Sequence, residues 1–170
     1  MMPNYDYSKD LTSDNKNGLV YVIDDDADVR ESIKWLLEST NYRVEDYESA
    51  ETFIAQFNES VPSVILCDLR MPGMDGFEVL RSVKKSNPQV QVIILTGHGG
   101  DAEEQTAYRM GAYNFLKKPM DIDELLNSIR MAYRDKVENA MVAVSLAEGG
   151  DFDSAQDVLN EKDLLAEHKL

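Results

Sequence analysis

Four short runs of apolar residues stand out along the chain: Leu19-Val20-Tyr21-Val22-Ile23, Ser63-Val64-Ile65-Leu66-Cys67, the segment 90–95, and the segment 113–118 that closes at Pro119. The runs barely alternate with polar residues. That is the pattern of strands buried on both faces of a parallel sheet. A fifth candidate, 43–47, is shorter and more polar, as an edge strand would be. Between the runs the apolar spacing changes from continuous to three-and-four, which predicts helices. Val29, Ile33, Leu36 and Leu37 form the first such face, with Asp26 or Asp28 as N-cap and an end near Asn41. Ser49 caps a second helix carrying Ala50, Phe53, Ile54 and Phe57, and Phe77, Leu80 and Val83 mark a third that Pro88 follows. A fourth, at about 102–110, has a poor apolar face. Asp121 and Glu124 make a capping-box-like start for the fifth.

Strands and helices that alternate through short connections specify a doubly wound five-stranded parallel sheet with helices on both faces. The ends of the strands then matter most, because the loops at the carboxyl edge of such a sheet form the crevice in which its chemistry sits. The first strand ends in Asp24-Asp25-Asp26 and the third in Asp68, before the turn Arg70-Met71-Pro72-Gly73-Met74-Asp75-Gly76. Adjacent strand tips bring these carboxylates together, and like charges so close require a cation. An all-oxygen cluster suits Mg2+.

A chain of 170 residues, 43% hydrophobic, buries one ordinary core and leaves room for extensions. Its formal charge of −15 argues against nucleic-acid binding by this segment, which would need a basic face. The single cysteine, Cys67, lies within an apolar run and reads as a small buried hydrophobe, with no disulfide framework or Cys-based zinc site. No apolar stretch is long enough to span a membrane and the start of the chain has no signal-like segment, so a cytoplasmic location is expected. The expected organisation is a flexible arm over 1–18, a single α/β domain over 19–135, and an acidic helical extension over 136–170.

The residues Asp24-Asp25, Asp68, Thr96 and Lys118-Pro119, at the ends of strands one, three, four and five, resemble the receiver domain of two-component response regulators. The string Asp68-Leu69-Arg70-Met71-Pro72-Gly73-Met74-Asp75-Gly76 is itself characteristic of that family. The resemblance implies a strand order of 2-1-3-4-5. It implies that Asp68 is the nucleophile that takes a phosphoryl group from a sensor histidine kinase or phosphotransfer protein, and that Asp25 and Asp68 hold Mg2+ directly. Asp24 would hold the ion through water, and the backbone carbonyl of Arg70 would complete the protein ligands. Lys118 and Thr96 would bind the phosphoryl oxygens, and Gly97 would leave space for the donor. Phe115 matches an aromatic switch position, whose ring turns inward behind Thr96 once the phosphoryl group is in place. Arg70 and His98 match positions that tune the phosphoryl lifetime, a long cation at 70 shielding the group from water. Such a domain is not an enzyme in the usual sense, because it catalyses only its own phosphorylation and dephosphorylation.

Other readings of the same residues are weaker. Asp24-x-Asp26 after an apolar strand also fits a haloacid-dehalogenase-type Mg2+-dependent phosphatase, but Asp28 stands where that family places Thr or Val, and Asp68 is left without a purpose. A calcium loop starting at Asp24 fails because Val29 occupies the position of the sharp-turn glycine and Trp35 that of the bidentate glutamate. His98, without a second candidate ligand, reads as a loop residue, and Lys117 as a solvated charge. Beyond residue 136 the apolar spacing continues to about Leu146. Glu148-Gly149-Gly150-Asp151 then stops it, and a second helix is expected from near Asp153, a hairpin that resembles one tetratricopeptide-type unit. A lone unit cannot bury its own face, so these helices are expected to meet a second copy or an output partner. From residue 137 onward there are eight acids against two lysines, and too few residues for a helix-turn-helix domain.

Overall fold

The computed structural model describes residues 17–148. Residues 1–16 of the expected flexible arm over 1–18 and the second helix of the C-terminal hairpin lie outside the described residues. Strands β1 (Leu19–Ile23), β2 (Arg43–Tyr47), β3 (Ser63–Asp68), β4 (Gln91–Thr96) and β5 (Asn114–Lys117) alternate with helices α1 (Ala27–Ser39), α2 (Ala50–Gln56), α3 (Gly76–Ser86), α4 (Asp101–Arg109) and α5 (Ile122–Glu148). All neighbouring strands pair in parallel, in the order β2-β1-β3-β4-β5.

The unbroken apolar runs are explained by two cores, one on each face of the sheet. Side chains alternate along a strand, so Leu19, Tyr21 and Ile23 meet α2 and α3, whereas Val20 and Val22 meet Ile33 and Leu37 of α1 and Leu125 and Ile129 of α5. Every residue of β1 and β3 is buried. The first helix begins with Asp26 as its cap, accepting hydrogen bonds from Asp28 N and Val29 N. It ends at Ser39, two residues before the expected Asn41, because Asn41 takes a left-handed conformation (φ 65°) that a helix cannot continue through. Helix α4 is held by few buried side chains, Ala107 alone among its nine residues being fully covered.

Two boundaries differ from the sequence reading. Residues 17 and 18, assigned to the arm, belong to the folded body, since Asn17 N donates to Asn41 O at 3.1 Å and Asn17 Nδ2 to Thr40 O at 2.7 Å. The fifth strand stops at Lys117, so Lys118 lies just past the tip, its backbone N–H donating to Thr96 O at 2.7 Å. A cis peptide joins it to Pro119. At the opposite end of the sheet α5 is fastened by Tyr133, whose hydroxyl donates to Leu19 O, and by Tyr113 Oη donating to Asp135 Oδ2 at 2.8 Å. No helix among the described residues is long and apolar enough to cross a membrane.

Candidate functional site at the carboxyl edge of the sheet

Asp24 leaves the tip of β1 and is 1% exposed, a burial that few carboxylates tolerate without partners. Its backbone is fixed on both sides, N–H to Tyr47 O at 3.2 Å and carbonyl to Arg30 Nη1 at 2.8 Å. Its Oδ1 accepts from Asp26 N at 2.9 Å. Asp68 ends β3 and is 6% exposed; the next residue's N–H is taken by Leu95 O, which holds the tip of β3 against β4. Asp25 is exposed at the mouth. Carboxylate oxygens of Asp24, Asp25 and Asp68 lie within 4.8 Å of one another. Three hard oxygen donors converging from two strand tips suit a divalent cation such as Mg2+.

Lys118 reaches into the cluster from the end of β5. Its Nζ is 2.5 Å from Asp24 Oδ2 and 3.3 Å from Asp68 Oδ1. Burial alone would lower its pKa, but the hydrogen bond and charge of Asp24, with help from Asp68, outweigh burial and raise the ammonium's pKa above its ordinary value. Asp68 is also raised: burial contributes most, Asp24's charge adds to it, and Lys118 opposes both without prevailing. The ammonium neutralises one charge of the cluster and leaves an excess of negative charge.

Thr96, at the tip of β4, is fully buried, and its Oγ1 accepts from His98 N at 3.3 Å. His98 itself is exposed, in keeping with a loop residue. A Cβ added at Gly97 would meet nothing within 4 Å, so the mouth is open on that side. Phe115 is 5% exposed, already turned inward against Gly99: a Cβ there would stand 2.7 Å from Phe115 Cζ and 2.6 Å from Thr96 Cγ2. A glycine at 99 leaves the space that the ring fills.

The side chain of Arg70 does not lie over the acids. Its guanidinium pairs with Glu103 Oε1 in the first turn of α4, while Glu103 Oε2 accepts from Gly100 N at 3.1 Å. Lys117 is exposed, with Asp101 Oδ1 at 3.9 Å. Asp26, the second acid of the phosphatase reading, caps α1 and is not among the clustered carboxylates. Three residues near the site, Glu51, Gly99 and Glu103, were not singled out from the sequence. Glu51 and Glu103 contact residues 23 and 33 positions away, a separation that leaves no local pattern to read.

The model of the response regulator receiver domain matches residues 20–130. The chain belongs to this family. Among relatives of the receiver, the DNA-binding transcriptional regulator NtrC of Salmonella typhimurium is 35% identical over 117 residues, covering 69% of this chain and 25% of NtrC. The transcriptional regulatory protein FixJ of Bradyrhizobium diazoefficiens is 37% identical over 117 residues, covering 69% of this chain and 57% of FixJ. The chain thus spans a quarter of one relative and just over half of the other. Among solved structures, a receiver domain protein from Clostridium thermocellum superposes with a TM-score of 0.64 at 34% identity, covering 71% of this chain and 98% of that one. The FixJ N-terminal structure gives 0.62 at 34% identity, covering 67% and 91%. Membership removes the phosphatase reading, because a receiver is not a conventional enzyme.

Proposed function

We propose that this receiver accepts a phosphoryl group on Asp68 from a phosphohistidine donor, a sensor histidine kinase or phosphotransfer protein, and passes the change to an output partner. The observation that carries the reading is the Lys118 ammonium lodged between Asp24 and Asp68 at 2.5 and 3.3 Å, inside a cluster of three acids. A carboxylate flanked by a cation on one side and further acids on the other can attack phosphorus only where the negative charge of both reactants is offset. An Asp68 oxygen forms the new O–P bond as the N–P bond of the donor breaks, and the imidazole keeps that electron pair and takes a proton. Lys118 then has a phosphoryl oxygen to hold in place of Asp68 Oδ1, and the Thr96 hydroxyl can donate to another. Gly97 leaves the approach clear.

Asp25 and Asp68, with Asp24 through water and the Arg70 carbonyl, would hold Mg2+, which when bound supplies positive charge between the carboxylate and the phosphoryl oxygens. Arg70 is proposed to tune the lifetime of the acyl phosphate and His98 to modulate it. Phosphorylation adds charge and acceptor oxygens beside Thr96, and Thr96 and Phe115 are proposed to relay that change. Helix α5, with 27 residues, is about 40 Å long. A strand of five or six residues is only about 17–20 Å long, and Met141 on the far part of the helix is 67% exposed. That overhang is where a second copy or an output partner is proposed to bind.

The test is incubation with acetyl phosphate and Mg2+, borohydride trapping and mass spectrometry. Label is expected on Asp68 alone, with none in Asp68→Asn. Label on Asp24, or labelling that persists in the variant, would defeat the assignment.

A further inference from the structure

The loop after Asp68 has to place the backbone of Arg70, an expected metal ligand, beside the nucleophile. Its two ends are closed by main-chain bonds, Leu69 N to Leu95 O at 2.8 Å and Gly76 N to Leu69 O at 3.0 Å. Between them the loop is fastened to α2. Met74 N donates to Glu51 Oε1 at 2.8 Å, and the same oxygen fills the place of a side chain at Gly73: a Cβ there would stand 2.5 Å from it. Gly73 has φ of +77°, a conformation that glycine adopts without strain. The residue thus serves two ends, turning the loop and admitting the carboxylate. The Met74 hydrogen bond holds Glu51 below the ordinary carboxylate range. On the opposite side Arg70 is drawn to Glu103, so the loop hangs between α2 and α4 from two carboxylates that are not in the acid cluster.

We propose that Glu51 is a positioning residue for the phosphoryl site: by tethering Met74 N it holds the loop 70–74 in register with Asp68, and so sets the affinity for the divalent cation. The inference rests on the phosphoryl-acceptor reading above. A Mg2+ site demands near-ideal octahedral geometry, so a ligand carried on a loop counts only if that loop is held within about half an ångström. A main-chain N–H donating to an ionised carboxylate is stronger than a neutral bond. The tether to Arg70, by contrast, runs between two side chains and leaves the backbone N–H groups of the loop unheld on that side, Arg70 being 67% exposed.

Glu51→Ala removes the acceptor, and Glu51→Gln keeps an oxygen in the same place without the charge. Mg2+ affinity of the full chain is measured by titration calorimetry at pH 7, with amide exchange at Met74 and the urea midpoint read on the same samples. Glu51→Ala is expected to weaken Mg2+ binding about tenfold, the scale of lost outer-shell support, and to speed exchange at Met74, with the urea midpoint close to the parent's. Glu51→Gln should restore the affinity to within about twofold. Parental affinity in Glu51→Ala despite faster exchange, or equal loss in both variants, would overturn the positioning role. Should the parent itself bind no Mg2+, the phosphoryl-acceptor reading fails, and exchange at Met74 still decides the tether: an unchanged rate in Glu51→Ala would refute it.

Discussion

Replacing Lys118 by methionine keeps most of the side chain's bulk and removes the one ammonium that, among the described residues, lies inside the acid cluster. At an effective dielectric of about 20, unit charges at 2.5 and 3.3 Å attract by roughly 7 and 5 kcal/mol before desolvation is counted. The net loss is smaller, because the cluster has an alternative to an unpaired buried charge: Asp68, whose pKa is already raised by burial and by Asp24, can take up a proton. Protonating an ordinary aspartate at pH 7 costs about 4 kcal/mol and at pH 5 about 1.5 kcal/mol, which caps the penalty in each condition. Lys118→Met should therefore destabilise the metal-free chain by about 3–4 kcal/mol at pH 7, within the range for breaking a buried pair, and by about 1–2 kcal/mol at pH 5. The sign follows from linkage. In the variant the folded chain holds a proton that the unfolded chain has released, so stability falls as pH rises from about 4 to 7. In the parent the raised Asp68 works in the same direction but with Lys118 opposing it. Urea melts of both proteins at pH 5 and 7, with EDTA and then with saturating Mg2+, give all the differences. A loss under about 1 kcal/mol at pH 7, or one independent of pH, would show that the ammonium is not the counter-ion of this cluster. Added Mg2+ should stabilise the variant more than the parent, having no ammonium to displace.

Gly99→Ala would set a methyl group against Thr96 Cγ2 and Phe115 Cζ, and should destabilise the chain by about 1–3 kcal/mol in thermal melts; a neutral effect would mean that the Phe115 ring moves aside freely. Arg70→Asn should speed loss of phosphate from the phosphorylated chain several-fold, about 1 kcal/mol in barrier, whereas Glu103→Gln, by freeing the guanidinium from α4, should slow it. Decay followed in excess Mg2+ tests both, and parental rates in the two variants would remove Arg70 from the set of lifetime residues.

The layout of this receiver was legible because its signals are local. Runs buried on both faces announce themselves without alternation, Asp26, Ser49 and Asp121 sit where helix caps belong, and a carboxylate at the end of an apolar run is visible in the string itself. From these, sheet, helices and the convergence of Asp24, Asp25 and Asp68 follow, since parallel pairing fixes which ends of the strands meet. Contacts made across the fold could not be read that way. That Lys118 leans on Asp24 more closely than on Asp68, and that the Phe115 ring is already inward, depend on side-chain rotamers chosen by packing. Glu51 and Glu103 looked like ordinary acids in the first turns of helices, where the helix dipole favours them. Only the tertiary structure, by bringing α2 and α4 to either side of the loop after Asp68, gave those two carboxylates a backbone N–H and a guanidinium to hold.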